Sequence, residues 1–281
     1  MEIIKDKEFG GERPLFGAEN VKLEGVTIHT GESALKFCKN IVAENCRFEG
    51  KYPFWHTEGF EVVNCLFTPG ARAALWYSKN LLMRHTLVEA PKMFRDMEGI
   101  DLDDVKLPDA QETLWHCRGV KLRNVEVKNA DYIFQHTDDI NIANYRQEGN
   151  YSFQYCHNVE IRDAVIHSKD AFWNTENVTV YDSTVIGEYL GWYSKNLRLV
   201  RCHLGGTQPL CYCEGLVLED CTFDADADLA FEDSDVQATV KSAITSVKNP
   251  RTGHIKAKSI GELIIDEHLR QPGDCVIETE E

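Results

Sequence analysis

Asn196-Leu197-Arg198-Leu199-Val200-Arg201-Cys202-His203-Leu204 carries a polar anchor, an apolar-x-apolar pair, a short bend, and then a small residue and an apolar one two positions on. The same pattern opens at Asn20, Asn40, Gly59, Asn80, Gly99, Gly119, Asp139, Asn158, Asn177 and Gly215. Successive anchors lie 19 to 21 residues apart. A period held that closely marks a solenoid, in which each repeat packs only on its neighbours.

Inside a repeat the apolar residues alternate, as in Val120-x-Leu122 and Val125-x-Val127. Period two is the strand signal. The bend between the two runs carries Asn45, Asn64, Asp104, Asn124, Asn144, Asp163, Asp182 and Asp220. Asn and Asp tolerate the left-handed backbone that such a corner needs. A third apolar segment precedes each anchor, and the consensus of a leucine-rich repeat is absent. The expected fold is all-β, a single-stranded parallel β-helix of about ten to twelve coils with three short strands per coil. One domain over 1–281 is expected, because each rung needs only its neighbours. Residues 1–14 read as an N-terminal cap, 15–223 as regular coils, 224–265 as irregular final coils and 266–281 as a tail.

The net charge is −16. That argues against nucleic acid or an anionic membrane as partner, since phosphates need a basic footprint. Met1 leads into Glu2-Ile3-Ile4-Lys5-Asp6-Lys7, which is no signal peptide. No apolar run approaches a membrane span, so the cytoplasm is the expected compartment. Cys46, Cys65, Cys202 and Cys221 sit six residues past their anchors, and Cys38, Cys117, Cys156 and Cys213 sit two before. Such columns suit small buried thiols, so no disulfide is expected. Cys211-x-Cys213 has no companion pair, and neither metal nor cofactor is expected.

Four columns follow from counting back from each anchor. One residue before, Glu19, Lys39, Glu58, Lys79, Glu98, Arg118 and Asp138 alternate in sign; stacked at rung spacing, they read as a structural charge ladder. Five before, Leu35, Phe54, Leu75, Phe94, Leu114 and Phe134 read as core. Four before, all the tryptophans fall in one column with polar residues between: Trp55, Trp76, Arg95, Trp115, Gln135, Gln154, Trp173 and Trp192. Neighbouring strand residues point to opposite faces, so this column is expected outward. It is a candidate ligand-binding stripe for a carbohydrate-like ligand. A homodimer face and cover by the terminal tail are the alternatives. Trp76, Arg95 and Trp115 form its centre, and an exposed Arg95 is expected to be dispensable for stability.

Three before the anchor come Phe37, His56, Tyr77, Asp96, His116, His136, Tyr155, Tyr193 and Tyr212. Strict alternation puts them inside, although most are polar. Asp96, His116, His136 and Tyr77 are the acid–base candidates; a mutually satisfied structural stack is the competing reading. His29, His85, His167 and His203 fall at unrelated offsets and read as surface residues.

The rung pattern resembles the pectin-lyase-like β-helix superfamily. Phe9-Gly10-Gly11-Glu12-Arg13-Pro14-Leu15-Phe16, Gly31-Glu32-Ser33-Ala34-Leu35-Lys36, Lys51-Tyr52-Pro53-Phe54-Trp55 and Ile244-Thr245-Ser246-Val247-Lys248-Asn249-Pro250 resemble, more closely, domain-of-unknown-function family 3737. The resemblance covers nearly the whole chain. It implies a right-handed helix and supplies no established activity. Superfamily lyases commonly use calcium carboxylates with a basic residue, and its hydrolases use clustered aspartates; only Arg95 and Asp96 match, one of each. The functional expectation is a protein that binds, and in second place modifies, a carbohydrate-like ligand along the stripe. If an enzyme, it would be a lyase or hydrolase by that analogy. The alternative is a non-catalytic scaffold or a homodimer whose aromatic stripe is the interface.

Overall fold

A computed structural model describes residues 1–267 and 273–280. The chain divides into two compact units, Met1–Arg146 and Gln147–Glu281. Each is a parallel β-solenoid.

In Met1–Arg146, strands Glu2–Lys5, Glu19–Glu24, Lys39–Glu44, Glu58–Val63, Lys79–Val88, Glu98–Leu107 and Arg118–Val127 stack in chain order, each parallel to the next. The register is that of the sequence repeat: Val21 pairs Ile41, Ile41 pairs Phe60, Phe60 pairs Leu81, Leu81 pairs Ile100 and Ile100 pairs Val120. These residues are all buried and form one wall of the core. Asn45, Asn64, Asp104 and Asn124 turn the bend with φ of 53–55°, the left-handed corner that their side chains tolerate. The charge ladder forms as read. Glu19, Lys39, Glu58 and Lys79 are successive partners, and Lys79 Nζ lies 3.3 Å from Glu98 Oε2. At this exposure such pairs contribute little energy and chiefly favour one register.

In Gln147–Glu281 the stack runs through His157–His167, Glu176–Tyr181, Lys195–Val200, Leu216–Phe223, Asp235–Lys248, Thr252–Ile264 and Val276–Thr279. The chain makes about 14 turns, against the ten to twelve expected. The difference lies at the ends. Residues 1–14 do not merely cap: Glu2–Lys5 and Glu8–Glu12 pair with the next turn. Residues 224–265, expected as irregular final coils, hold the two longest strands among the described residues, 14 and 13 residues. The expected tail 266–281 lies partly outside the described residues, yet its Val276–Thr279 adds a further strand. The final turns leave the period and shift register between Leu218 and Cys221 and between Val240 and Ala243. Asp235 pairs Thr252, a step of 17 (252 − 235), and His254 pairs Val276, a step of 22 (276 − 254).

The segment before each anchor overturns one expectation. It pairs as strands at Leu35–Lys36 with Phe54–Trp55 and as a bridge between Arg95 and Trp115, but its backbone is sharply puckered. Leu75, Phe94 and Leu114 have φ of 62°, 55° and 59°, and Tyr77, Asp96 and His116, two residues on, have 56°, 52° and 53°. Left-handed residues at alternate positions cancel the strand's in–out alternation. Phe94 is fully buried, Arg95 half-buried and Asp96 exposed. The column expected inside is therefore the outermost. The left-handed backbone costs about 1–2 kcal/mol per residue. It is offset by rung-to-rung hydrogen bonds in which the amides of Tyr77, Asp96 and His116 each donate at 2.9 Å, to the carbonyls of Arg95, Trp115 and Gln135.

All ten cysteines are free thiols. Among the described residues no helix is long and apolar enough to cross a membrane.

Candidate functional site

The sequence-predicted residues of Met1–Arg146 form two parallel rows. Trp55, Trp76, Arg95, Trp115 and Gln135 make the inner row, all half-buried. His56, Tyr77, Asp96, His116 and His136 make the outer row, all exposed. One puckered tripeptide per rung supplies a residue to each row.

The inner row is closed on itself. Arg95 Cζ lies 4.4 Å from the ring centroids of both Trp76 and Trp115, so both faces of the guanidinium are covered. Its Nη2 stands 3.5 Å from Glu112 Oε2, and Glu112 is also held by Lys92 Nζ at 3.0 Å. Arg95 Nε and Nη2 are buried without a hydrogen-bond partner. Trp76 Nε1 donates to the Lys92 carbonyl at 2.8 Å, and Trp115 Nε1 donates to that of Tyr132. Trp55 packs on Trp76 with centroids 5.3 Å apart. Indole faces spent on one another and on Arg95, with their N–H groups fixed to backbone, do not form an open stacking platform. The expected exposed Arg95 clamp is corrected accordingly: its side chain is 20% exposed and rivets three rungs together.

The outer row presents edges. Phe37 stacks on His56 (4.9 Å, 9°) and His56 on Tyr77 (5.1 Å, 16°). Stacked along the rungs, all three rings are exposed to solvent. Asp96 follows, its Oδ1 3.5 Å from His116 Nδ1, and the His116 ring lies 5.5 Å from that of His136. The four acid–base candidates thus sit on consecutive rungs, brought together as expected but on an open ridge rather than in a buried stack. Burial, with Lys36 nearby, holds the His56 imidazole below its ordinary pKa and so favours its neutral form. Sequence reasoning passed over Phe37 and His56 as site residues. The signal was the polarity of a column assigned to the interior.

Gln147–Glu281 carries its own part of both columns. Gln154 is half-buried. Trp173 and Trp192 lie 5.8 Å apart, and Trp192 Nε1 donates to the Gln208 carbonyl at 2.7 Å. Outside them Tyr193 stacks on Tyr212 (4.9 Å, 13°), whose hydroxyl donates to Glu232 at 3.4 Å. Within the expected tail, the strand Val276–Thr279 pairs with Thr252–Ile264. Among the described residues no group of three or more His, Cys, Asp or Glu is placed to hold a metal ion.

Solved structures similar to this chain include the surface adhesin PfbA of Streptococcus pneumoniae, at 9% identity and a TM-score of 0.48, covering 97% of this chain and 89% of that one. The mannuronan C-5 epimerase AlgE4 A-module of Azotobacter vinelandii matches at 9% identity and a TM-score of 0.33, covering 99% and 90%. The catalytic domain of a GH87 alpha-1,3-glucanase matches at 8% and 0.41, covering 99% and 63%. No curated protein matches the sequence. Residues 2–278 match the family described as "Protein of unknown function (DUF3737)", and the chain belongs to that family.

Proposed function

We propose that the protein binds a carbohydrate-like ligand along the outer ridge of Met1–Arg146, from Phe37 through His56, Tyr77 and Asp96 to His116. The observation that carries this reading is the run of exposed polar side chains His56, Tyr77, Asp96 and His116, one per rung on consecutive rungs, with the exposed Phe37 ring at its end. A polyhydroxylated chain offers donors and acceptors at a comparable repeat, and ring edges bind hydroxyls where ring faces are already taken. A net charge of −16 favours a neutral ligand over a polyanion. The Asp96–His116 contact adds a carboxylate and an imidazole suited to proton transfer, which makes modification of the bound ligand the natural extension of binding.

A glycan array tests the reading, followed by titration calorimetry of Tyr77→Ala and Asp96→Asn. Both substitutions are exposed and are expected to weaken binding at least about tenfold. Binding unchanged in both sinks the reading. The alternative, a face between two copies of the chain, draws support from Phe16 and Phe37, 51% and 50% exposed and 5.8 Å apart. Light scattering that gives a dimer, broken by Phe37→Ser, would favour it.

A further inference from the structure

The asparagine anchors form a side-chain ladder. In Gln147–Glu281, Asn177 Nδ2 donates to Asn158 Oδ1 at 3.4 Å and Asn196 Nδ2 to Asn177 Oδ1 at 3.0 Å. In Met1–Arg146, Asn40 Nδ2 donates to Asn20 Oδ1 at 3.1 Å. There the ladder loses a rung at Gly59 and has its next carboxamide at Asn80. Asn40 Oδ1 points into the gap: a Cβ on Gly59 would stand 3.2 Å from it. A cavity of about 290 Å³ lies over the missing rung, lined by Asn40, Val42, Gly59, Glu61, Asn80 and Leu82 among others. Leu82 is 41% exposed beside it, an apolar side chain facing water.

We propose that this notch holds the acetamido group of an N-acetylated amino sugar. Asn40 and Asn80 are two rungs apart, about 9.6 Å at a strand spacing of ~4.8 Å, which is room for one intervening amide in the ladder. The ligand N–H donates to Asn40 Oδ1 where a residue at 59 would have done so. The ligand carbonyl accepts from Asn80 Nδ2. The acetyl methyl lies against Val42 and Leu82, and a ring hydroxyl donates to Glu61. His56 and Tyr77 stand three residues before Gly59 and Asn80, within about 10 Å along the chain, so a sugar held by its acetamido group reaches the ridge. The sugar part of this inference rests on the carbohydrate reading of that ridge; the acetamido part rests on the notch.

The test is titration calorimetry of the full chain with a tri-N-acetylglucosamine oligosaccharide, its de-N-acetylated form, the matching glucose oligosaccharide, and N-acetylasparagine amide as a peptide-derived amide. The acetylated sugar is expected to bind at least about tenfold more tightly than the other three, because it alone joins bonds to the carboxamides of Asn40 and Asn80 and a methyl on Leu82 to ring contacts on the ridge. Charge works against this result, since the de-N-acetylated sugar is cationic and Glu61 and the net charge of −16 attract it. Gly59→Asn fills the gap. Its φ of 65° is one that Asn20, Asn40 and Asn80 adopt at 55°, 49° and 56°, so the variant is expected to fold and to lose the acetyl preference. Leu82→Ser, an exposed change, is expected to reduce the preference without touching the ladder.

Equal affinity for acetylated and de-N-acetylated sugars overturns the inference and leaves the ridge reading standing. Equal affinity for the peptide-derived amide overturns the sugar assignment. No binding of any of the three sugars overturns the inference, while the ridge reading stands or falls on its glycan array. A Gly59→Asn variant that keeps the acetyl preference overturns the assignment of the acetamido group to the notch.

Discussion

The guanidinium carbon of Arg95 stands 4.4 Å from the centroid of the Trp76 ring. Trp115 covers its other face at the same distance, so one side chain links three rungs. Cation–π contacts with partly desolvated partners contribute about 1–2 kcal/mol each. Arg95→Ala should therefore lower unfolding stability by about 1–3 kcal/mol, with Arg95→Lys between the two, because an ammonium cannot lie flat against both rings. Urea denaturation reads this directly, and an unchanged midpoint for Arg95→Ala would refute the rivet.

His29 bridges two carboxylates, with Nε2 3.0 Å from Glu8 and Nδ1 3.1 Å from Glu49. Its pKa is raised above 6.5 by the hydrogen bond to Glu8 first and that to Glu49 second. A raised folded pKa means that the stabilisation is complete below the unfolded value and is lost as pH rises through the folded one. The strand Glu8–Glu12 should loosen as pH climbs from about 6.5 through the raised folded value. Hydrogen exchange corrected for intrinsic rates should show this in the wild type and not in His29→Gln. A pH-independent wild-type strand would rule the clamp out.

Nine cysteines are buried and Cys275 is intermediate. Burial pushes the thiols of Cys38 and Cys213 up to about 11 and those of Cys117 and Cys211 up to about 12. Burial and Asp274 raise the Cys275 thiol as well, so access decides which thiol reacts: a thiol reagent at neutral pH should modify Cys275 alone, and slowly, in the native protein and all ten in denaturant without reductant. Rapid native labelling of Cys46 or Cys65 would contradict the packing, and a denatured count below ten would indicate disulfides.

Gly11, Gly31 and Gly50 stack where successive backbones touch. A Cβ on Gly31 would stand 2.0 Å from the Gly11 carbonyl oxygen, and one on Gly50 would stand 2.7 Å from that of Gly31. No rotamer relieves a clash with backbone, so Gly31→Ala should cost about 2–4 kcal/mol. Thermal denaturation checks it. Gly17→Ala, with nothing within 4 Å of its added carbon though φ is 67°, should cost about 1 kcal/mol, the backbone strain alone.

The repeat made most of the fold legible. Anchors 19 to 21 residues apart mapped directly onto strand partners such as Phe60 with Leu81, because a parallel solenoid converts period into register. The strands Glu2–Lys5, Glu8–Glu12 and Val276–Thr279 escaped, and the final coils read only as irregular, because pairs such as Asp235 with Thr252 leave the period. The site was half legible. Counting back from the anchors put Trp76, Arg95 and Trp115 on successive rungs and Tyr77 beside Asp96. Their orientation was not legible, since bulky residues such as Phe94 and Leu114 rarely take φ near 60° and nothing in their side chains announces it. The Gly59 notch was visible as a glycine among asparagine anchors, yet its meaning needed the Asn40 side chain's position.

Pairing offsets also bear on how the chain is made. The partner of Phe60 is Ile41 and that of Leu81 is Phe60, so each strand of these units finds its mate about twenty residues upstream. Nothing in such a turn waits for sequence still inside the ribosome. At ~5–20 residues per second of synthesis, a new turn emerges every one to four seconds or so onto an edge already formed. Within a unit, the unpaired backbone able to capture a foreign strand is then confined, at any moment, to the advancing edge and the first turn.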